Sequence, residues 1–364
     1  LTGRPVELPI QLFGAVSDSI AAALVCWIAS TLLGARVGFL SGLLYAVYPP
    51  LAYLSTFSMS PDGLLSVFVI GSLACAIWGV SHAGSRGWLC WTVAGLVLGI
   101  GCYLRPDYLL MPLVLGPALW LYTGCFRKSV TSMLVVQLVA VLVLAPWAYR
   151  NHQRSGRWIF TSSALGWVLL VGLSEYSNPW GLAPRDEDRM AEAMAAGFDS
   201  PISPEADAWF RQRFWKAVQE HPTGYLKTMA KRLPIALAMP LPFGYKNPAK
   251  TQRFSQARME GRDRFAVLRS QPLYILRAYW EYIVTGAFGL LCAVCSVVMV
   301  LRERQRGAAV VALASHLYAI GIHIPIHVEA RFLVPSMFGF MVGFAYVACK
   351  GWRETVSAPL APTN

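Results

Sequence analysis

Hydrophobic positions in this chain fall in long unbroken runs, not in the alternating or one-faced patterns of a soluble domain. A bilayer core about 30 Å thick is crossed by roughly 20 apolar residues of helix. Runs of this kind lie near 11–33, 37–56, 60–81, 87–103, 107–123, 129–149, 277–301, 308–325 and 332–350. The pattern predicts an all-α polytopic membrane protein with about nine transmembrane helices, because only helices and closed barrels satisfy their backbone groups in lipid. The run 87–103 is short and Gly-rich, and its Gly87, Gly95, Gly99 and Gly101 suit a tightly packed membrane helix.

Between 150 and 276 no run is long enough to cross. The chain therefore divides into N-terminal transmembrane helices (1–149), an extracytoplasmic or interfacial segment (150–276), and C-terminal transmembrane helices with a cytoplasmic tail (277–364). Within the middle segment, Ser203-Pro204 followed by Glu205 and Asp207 reads as a helix start. Trp209, Phe210, Phe214, Trp215 and Val218 then form an apolar stripe, expected to pack on the membrane domain, and His221-Pro222 ends the helix. A second amphipathic helix follows, with Tyr225, Leu226, Met229 and Leu233 apolar and Lys227, Lys231 and Arg232 basic, as at a lipid headgroup surface. The proline-rich run 233–245 is too short to span, which leaves Lys246, Lys250, Arg253, Arg258, Arg262, Arg264 and Arg269 on the outer side.

Charge sharpens this picture. Only 14% of the 364 residues are charged, against roughly a quarter in soluble domains, and the net charge is +12. Arg36, Arg86, Arg127, Lys128, Arg302, Arg304, Arg306, Lys350 and Arg353 fall on one side of the predicted topology, whereas the short loops of the other side carry only Arg105 and Arg331. The first side is cytoplasmic by the positive-inside rule. Asp62, Arg105, Asp107, Glu329 and Arg331 then face outward together, and Arg150-Asn151 closes the outer end of the run 129–149. Guanidinium groups offer a planar fork suited to phosphate oxygens, so this set suggests a phosphorylated lipid at the outer interface. The basic excess fits anionic lipid or such a donor, and no nucleic-acid partner is expected.

Other chemistry is thin. The eight cysteines lie in or at the ends of apolar runs and give no disulfide framework, and Cys292 and Cys295 lack the second pair of a metal site. His323 and His327 stand four apart near Glu329, but Pro325 between them spoils a regular helix, and no metal or other cofactor is expected. Asp18, flanked by Ser17 and Ser19 inside the first run, is expected to make an interhelical hydrogen bond.

The order of elements resembles the GT-C membrane glycosyltransferases, in the branch of protein O-mannosyltransferases and bacterial aminoarabinose or galacturonic acid transferases. The residues that carry the resemblance are Gln11 to Leu33 with Asp18, Gly34-Ala35-Arg36, Tyr48-Pro49-Pro50-Leu51-Ala52-Tyr53, Ser60-Pro61-Asp62 and Gly95 to Gly99 leading to Leu104-Arg105-Pro106. Ala145-Pro146-Trp147, Arg150-Asn151, Gly156-Arg157 and Thr161-Ser162-Ser163 follow, and Glu329-Ala330-Arg331-Phe332 with Pro335 resembles a closing Arg-Tyr-x-x-Pro motif with Phe for Tyr.

The resemblance implies transfer of a sugar, with inversion, from a polyprenyl-phosphate donor to a lipid, glycan or protein acceptor on the outer face of the plasma (inner) membrane. It also places the family's first helix and most of its first outer loop before Leu1, and the expected catalytic acid with them. Arg105 and Arg331, with Arg150 as a third, are then expected on the donor phosphate. Asp62 is expected on sugar or acceptor hydroxyls, or as a catalytic carboxylate, and Asp107, Asn151 and Glu329 complete the substrate contacts. Trp180, Trp209 and Tyr245 could serve as sugar platforms. A transporter or flippase for lipid-linked sugars is the competing class, but it should set its charges at the bilayer midplane within repeated, broken helices. Here nearly all ionisable residues lie at the ends of runs.

Overall fold

Each apolar run folds as helix. The structure, a computed structural model, describes residues 7–57, 60–82, 84–176, 178–182, 186–241, 272–303 and 305–356. Among the described residues six helices are long and apolar enough to cross a membrane: α1 (Glu7–Leu33), α4 (Pro61–Ser81), α5 (Ser85–Leu104), α7 (Phe126–Ser155), α12 (Pro272–Arg302) and α13 (Arg306–Ile326). Two further runs cross only as bent pairs. In the first, α2 (Ala35–Val47) meets α3 (Pro49–Ala52) and the π-helical turn Tyr53–Phe57 at 49°, where Tyr48 is held extended by the proline that follows it. In the second, the 3-10 segment Ala330–Ser336 meets α14 (Phe338–Val356) at 64°. The run 107–123 differs from expectation. It splits into the 3-10 turn Pro106–Tyr108 and α6 (Pro112–Thr123), a helix of only 12 residues, because Pro106 and Pro112 each restart the chain.

Burial is reversed relative to a soluble bundle. On α7 the stripe Leu134, Leu138, Leu142 is 57–61% exposed, while Val136, Ala140 and Leu144 on the opposite face are buried against α5 and α6. Small residues close the packed face. A Cβ at Gly95 would stand 2.7 Å from the Val136 carbonyl oxygen, and one at Gly99 2.7 Å from Val143 Cβ, so the Gly-x-x-x-Gly of α5 brings its backbone against α7. Asp18 accepts from Ser55 Oγ of the π-helical turn, the interhelical bond expected of it.

The middle segment forms a helical cap with its own small core. Its elements are α8 (Leu165–Ser174), α9 (Asp186–Ala195), α10 (Pro204–Glu220) and α11 (Pro222–Ala238). The predicted start of α10 is real, with Ser203 Oγ accepting from Ala206 N at 3.2 Å and Pro204 at the first helical position. Its stripe is narrower than predicted and packs within the cap, not on the membrane domain: Phe210 and Phe214 are buried against α8, whereas Trp215 is 58% exposed.

The second predicted helix, α11, is present but turned. Tyr225, Thr228, Arg232 and Ala236 form the inward face, and Leu226 and Leu233 point outward beside Lys227 and Lys231. Arg232 is thus fully buried instead of lying at a headgroup surface, and the outward leucines suit contact with lipid. Up to Leu241 the run 233–245 belongs to α11 and its end, where Leu241 N donates to Thr285 Oγ1 on α12 at 2.9 Å. Tyr245 and the basic stretch Lys246 to Arg269 lie outside the described residues.

The cap is fastened to the bundle at the C-terminus of α13, where helix geometry leaves backbone carbonyls without partners. Arg232 Nη1 donates to Ile324 O at 2.6 Å, and Tyr225 Oη donates to Pro325 O at 2.9 Å. Arg232 Nη2 also reaches Gly172 O of α8 at 2.5 Å. Gly172 must be glycine: a Cβ there would stand 1.9 Å from Ile326 O and 2.7 Å from Arg232 Nη2. Gly172→Ala is expected to cost at least about 1–3 kcal/mol, since a backbone oxygen cannot yield as a side chain can. A Tm equal to wild type would show that α8 does not dock as described.

Candidate functional site

Four helix ends bring the ionisable residues together at one end of the bundle. Asp62 starts α4, where Ser60 Oγ donates to its Oδ2 at 2.7 Å and the Ser60-Pro61 cap fixes its place. Arg105 follows the last residue of α5, and Asp107 lies in the 3-10 turn after it. Arg105 Nη1 binds Asp62 Oδ1, and Arg105 Nη2 binds Asp107 Oδ2. Asp62 is buried, at 3% side-chain exposure, and Arg105 is only 18% exposed, so the guanidinium is committed to these two carboxylates. Burial opposes its charge, yet Asp107 and Asp62 more than offset this and raise its pKa above the ordinary guanidinium value.

Phe332 joins this triad to the second group. Its ring centroid is 4.1 Å from Arg105 Cζ and 5.4 Å from Arg331 Cζ, and the rings of His323 and His327 pack on it at 5.3 and 5.5 Å. Cations over an aromatic face are attracted by its quadrupole, so the single ring holds both arginines at one place. The Phe standing for Tyr in the closing motif is therefore at the centre of the cluster. Arg331 Nε donates to Glu329 Oε2 at 2.6 Å, and at 51% exposure its Nη groups make no other bond among the described residues. Burial alone would raise the Glu329 pKa, but the His327 hydrogen bond and the Arg331 charge hold it below the usual carboxylate value.

Sequence reasoning missed one carboxylate. Glu175 follows the last residue of α8, where Oε2 accepts from Arg232 Nε at 2.9 Å and Oε1 meets His327 Nδ1 and Val328 N. A carboxylate at a helix C-terminus faces the negative end of the helix dipole and calls for a cation, which was the available signal. His327 Nε2 in turn contacts Glu329 Oε1 at 3.2 Å. His323 Nε2 is buried without a hydrogen-bond partner, 3.8 Å from Asp107 Oδ2. Among the described residues no group of three or more His, Cys, Asp or Glu is arranged to hold a metal ion.

Arg150 and Asn151 lie near the end of α7, and the hydrogen bonds and ring contacts they make among the described residues are local. Arg150 stacks on Trp147 at 4.6 Å, and Asn151 Nδ2 donates to Ile159 O at 2.8 Å, pinning the chain that folds back after Gly156. Trp180 donates to Ala217 O at 2.7 Å, and Trp209 packs on Phe198, Phe210 and Arg213, so both rings are used in the cap's own packing. A cavity of about 560 Å³ lined by Tyr122, Arg306 and Gly307 lies at the opposite end of the bundle, with Lys128 and Lys350.

The triad's three residues lie on the stretch of chain that comparison with protein families identifies. Residues 1–149 match the dolichyl-phosphate-mannose-protein mannosyltransferase family model. The matched stretch runs from α1 through most of α7 and holds Asp62, Arg105 and Asp107, while Glu175, Glu329 and Arg331 lie beyond it. The similarity is to that family as a whole and distinguishes no finer branch. No curated protein matched the chain in a parallel comparison, and no solved structure did.

Proposed function

We propose that this polytopic membrane protein is a glycosyltransferase that moves a sugar from a polyprenyl-phosphate donor to a lipid, glycan or protein acceptor at the outer face of the plasma membrane. The similarity of residues 1–149 to the mannosyltransferase family carries the reading. The clustering of Asp62, Arg105, Asp107, Glu329 and Arg331 at the end of the bundle away from Lys128 and Lys350 supports it. By the positive-inside rule the cluster then faces outward.

In this reading Arg331 takes the donor phosphate, because its half-exposed guanidinium still has both Nη groups to offer. Arg105 stands behind the Phe332 ring with its charge balanced by Asp62 and Asp107, and it holds both carboxylates in place. Charge developing on the leaving phosphate is stabilised by the Arg331 guanidinium, already fixed before the reaction, which removes the cost of reorienting solvent. Asp107 and Glu329 edge the space where sugar and acceptor hydroxyls meet, Asp62 is buried behind Arg105 and fixes that guanidinium, and the cap α8–α11 offers the surface for the acceptor. Arg150, stacked on Trp147, is a third cation for the donor in this reading, and Asn151, which holds the chain at Ile159, a further substrate contact.

Membranes containing the protein are incubated with polyprenyl-phosphate mannose labelled in the sugar. A transferase releases label from the carrier to an acceptor. Label that crosses the membrane still linked to its carrier overturns the proposal and indicates a flippase.

A further inference from the structure

His327 is placed where its two ring nitrogens each face a carboxylate: Nδ1 faces Glu175 Oε1, and Nε2 faces Glu329 Oε1 at 3.2 Å. Carboxylates only accept, and a neutral imidazole has one N–H, so both contacts are hydrogen bonds only when the ring carries both protons. Neither carboxylate has another route to the same geometry. Glu175 is locked from behind by Arg232, whose guanidinium is fully buried and also bonds Ile324 O and Gly172 O. Glu329 is more exposed, and its other oxygen holds Arg331 Nε at 2.6 Å. The connected order Arg232, Glu175, His327, Glu329, Arg331 thus runs from the cap helices α8 and α11 to the exposed guanidinium.

We infer that His327 is a positioning residue: held as an imidazolium between Glu175 and Glu329, it sets the direction of the Arg331 guanidinium and ties it to the cap. The inference rests on the reading of Arg331 as the donor-phosphate ligand. With His327 in place, Glu329 is fixed and its Oε2 holds Arg331 Nε, which leaves the two Nη groups open. Without the ring, both carboxylates lose a donor. Glu329 is then free to rotate, and Arg331 follows it. The groups that face the ring are Glu175 from α8, Arg232 and Tyr225 from α11, His323 one turn earlier on α13, and Glu329 and Arg331 beyond it. Across Phe332 stand Arg105, Asp62 and Asp107.

The test uses the full-length protein in nanodiscs, titrated with a short-chain polyprenyl-phosphate mannose, whose phosphodiester charge does not change near neutral pH. His327→Gln is expected to bind this probe roughly tenfold more weakly, the size of one charge-assisted hydrogen bond. His327→Lys, which keeps a cation between the two carboxylates, is expected to recover part of that loss, a rescue that a purely structural role would not produce. H327Q/R331A is expected to bind no more weakly than R331A. If H327Q does not fold, Glu175→Gln tests the same bridge from its other side.

Wild-type affinity in H327Q, no recovery in H327K, or additive losses in H327Q/R331A, overturn the inference. Wild-type affinity in R331A instead overturns the phosphate reading. The bridge itself is read without ligand, as coupling between H327Q and E329Q in Tm, and additive Tm losses there overturn it whatever the fate of the phosphate reading.

Discussion

Arg105→Ala is expected to destabilise the protein by about 3–5 kcal/mol, because it strips the cation from a buried carboxylate that cannot reach water. Asp62 is 3% exposed, and its remaining hydrogen bond from Ser60 cannot compensate a full charge. Asp107 loses its partner too, beside the buried His323. Asp62→Asn should cost much less, since the amide keeps a hydrogen bond to Arg105 and the Arg105–Asp107 pair survives. The double variant R105A/D62N is expected to recover part of the loss, because it removes the orphaned charge. Thermal or denaturant unfolding in detergent measures all three, and an R105A protein within about 1 kcal/mol of wild type would mean that the triad is solvated.

Arg331→Ala is expected to lower kcat/KM for sugar transfer by about 10²–10³-fold, the usual effect of removing one fixed donor from a developing negative charge. Its stability should change little, because Arg331 is half exposed and its one ion pair, with Glu329, is solvated. Arg331→Lys should retain part of the activity. It keeps the charge but not the fork that serves Glu329 and a phosphate at once. Release of labelled sugar from the carrier, measured against carrier concentration, gives the ratio directly, and a wild-type rate in R331A would remove Arg331 from the site.

These two predictions draw on sequence and structure to different degrees. That Asp62, Arg105, Asp107, Glu329 and Arg331 share one end of the bundle was legible from the runs alone, because consecutive spans alternate in direction and each of these residues stands at a run's end. Their division of labour was not. The sequence offered Arg105 and Arg331 as equivalent cations, and only the side-chain geometry shows one locked between two carboxylates and the other open. Arg232 was misplaced for a related reason. In a soluble amphipathic helix Leu226 and Leu233 would mark the inner face, but beside a membrane apolar residues can face outward. The 3.6-residue period gives the stripes without saying which of them is buried.

Local chemistry set what the chain by itself determines: the helical class, the position of most runs, the Ser203 cap, and the close packing of the Gly-rich α5. Each depends on neighbours within a few positions, which a reader of the sequence can see. Only the tertiary structure decided that Glu175 meets His327 across 152 positions of chain, that Arg232 caps the carbonyls of α13, and that Phe332 gathers two arginines. Ion pairs act over a few ångströms of space and carry no trace of the sequence distance between their partners, so they become visible only once the cap has docked on the bundle.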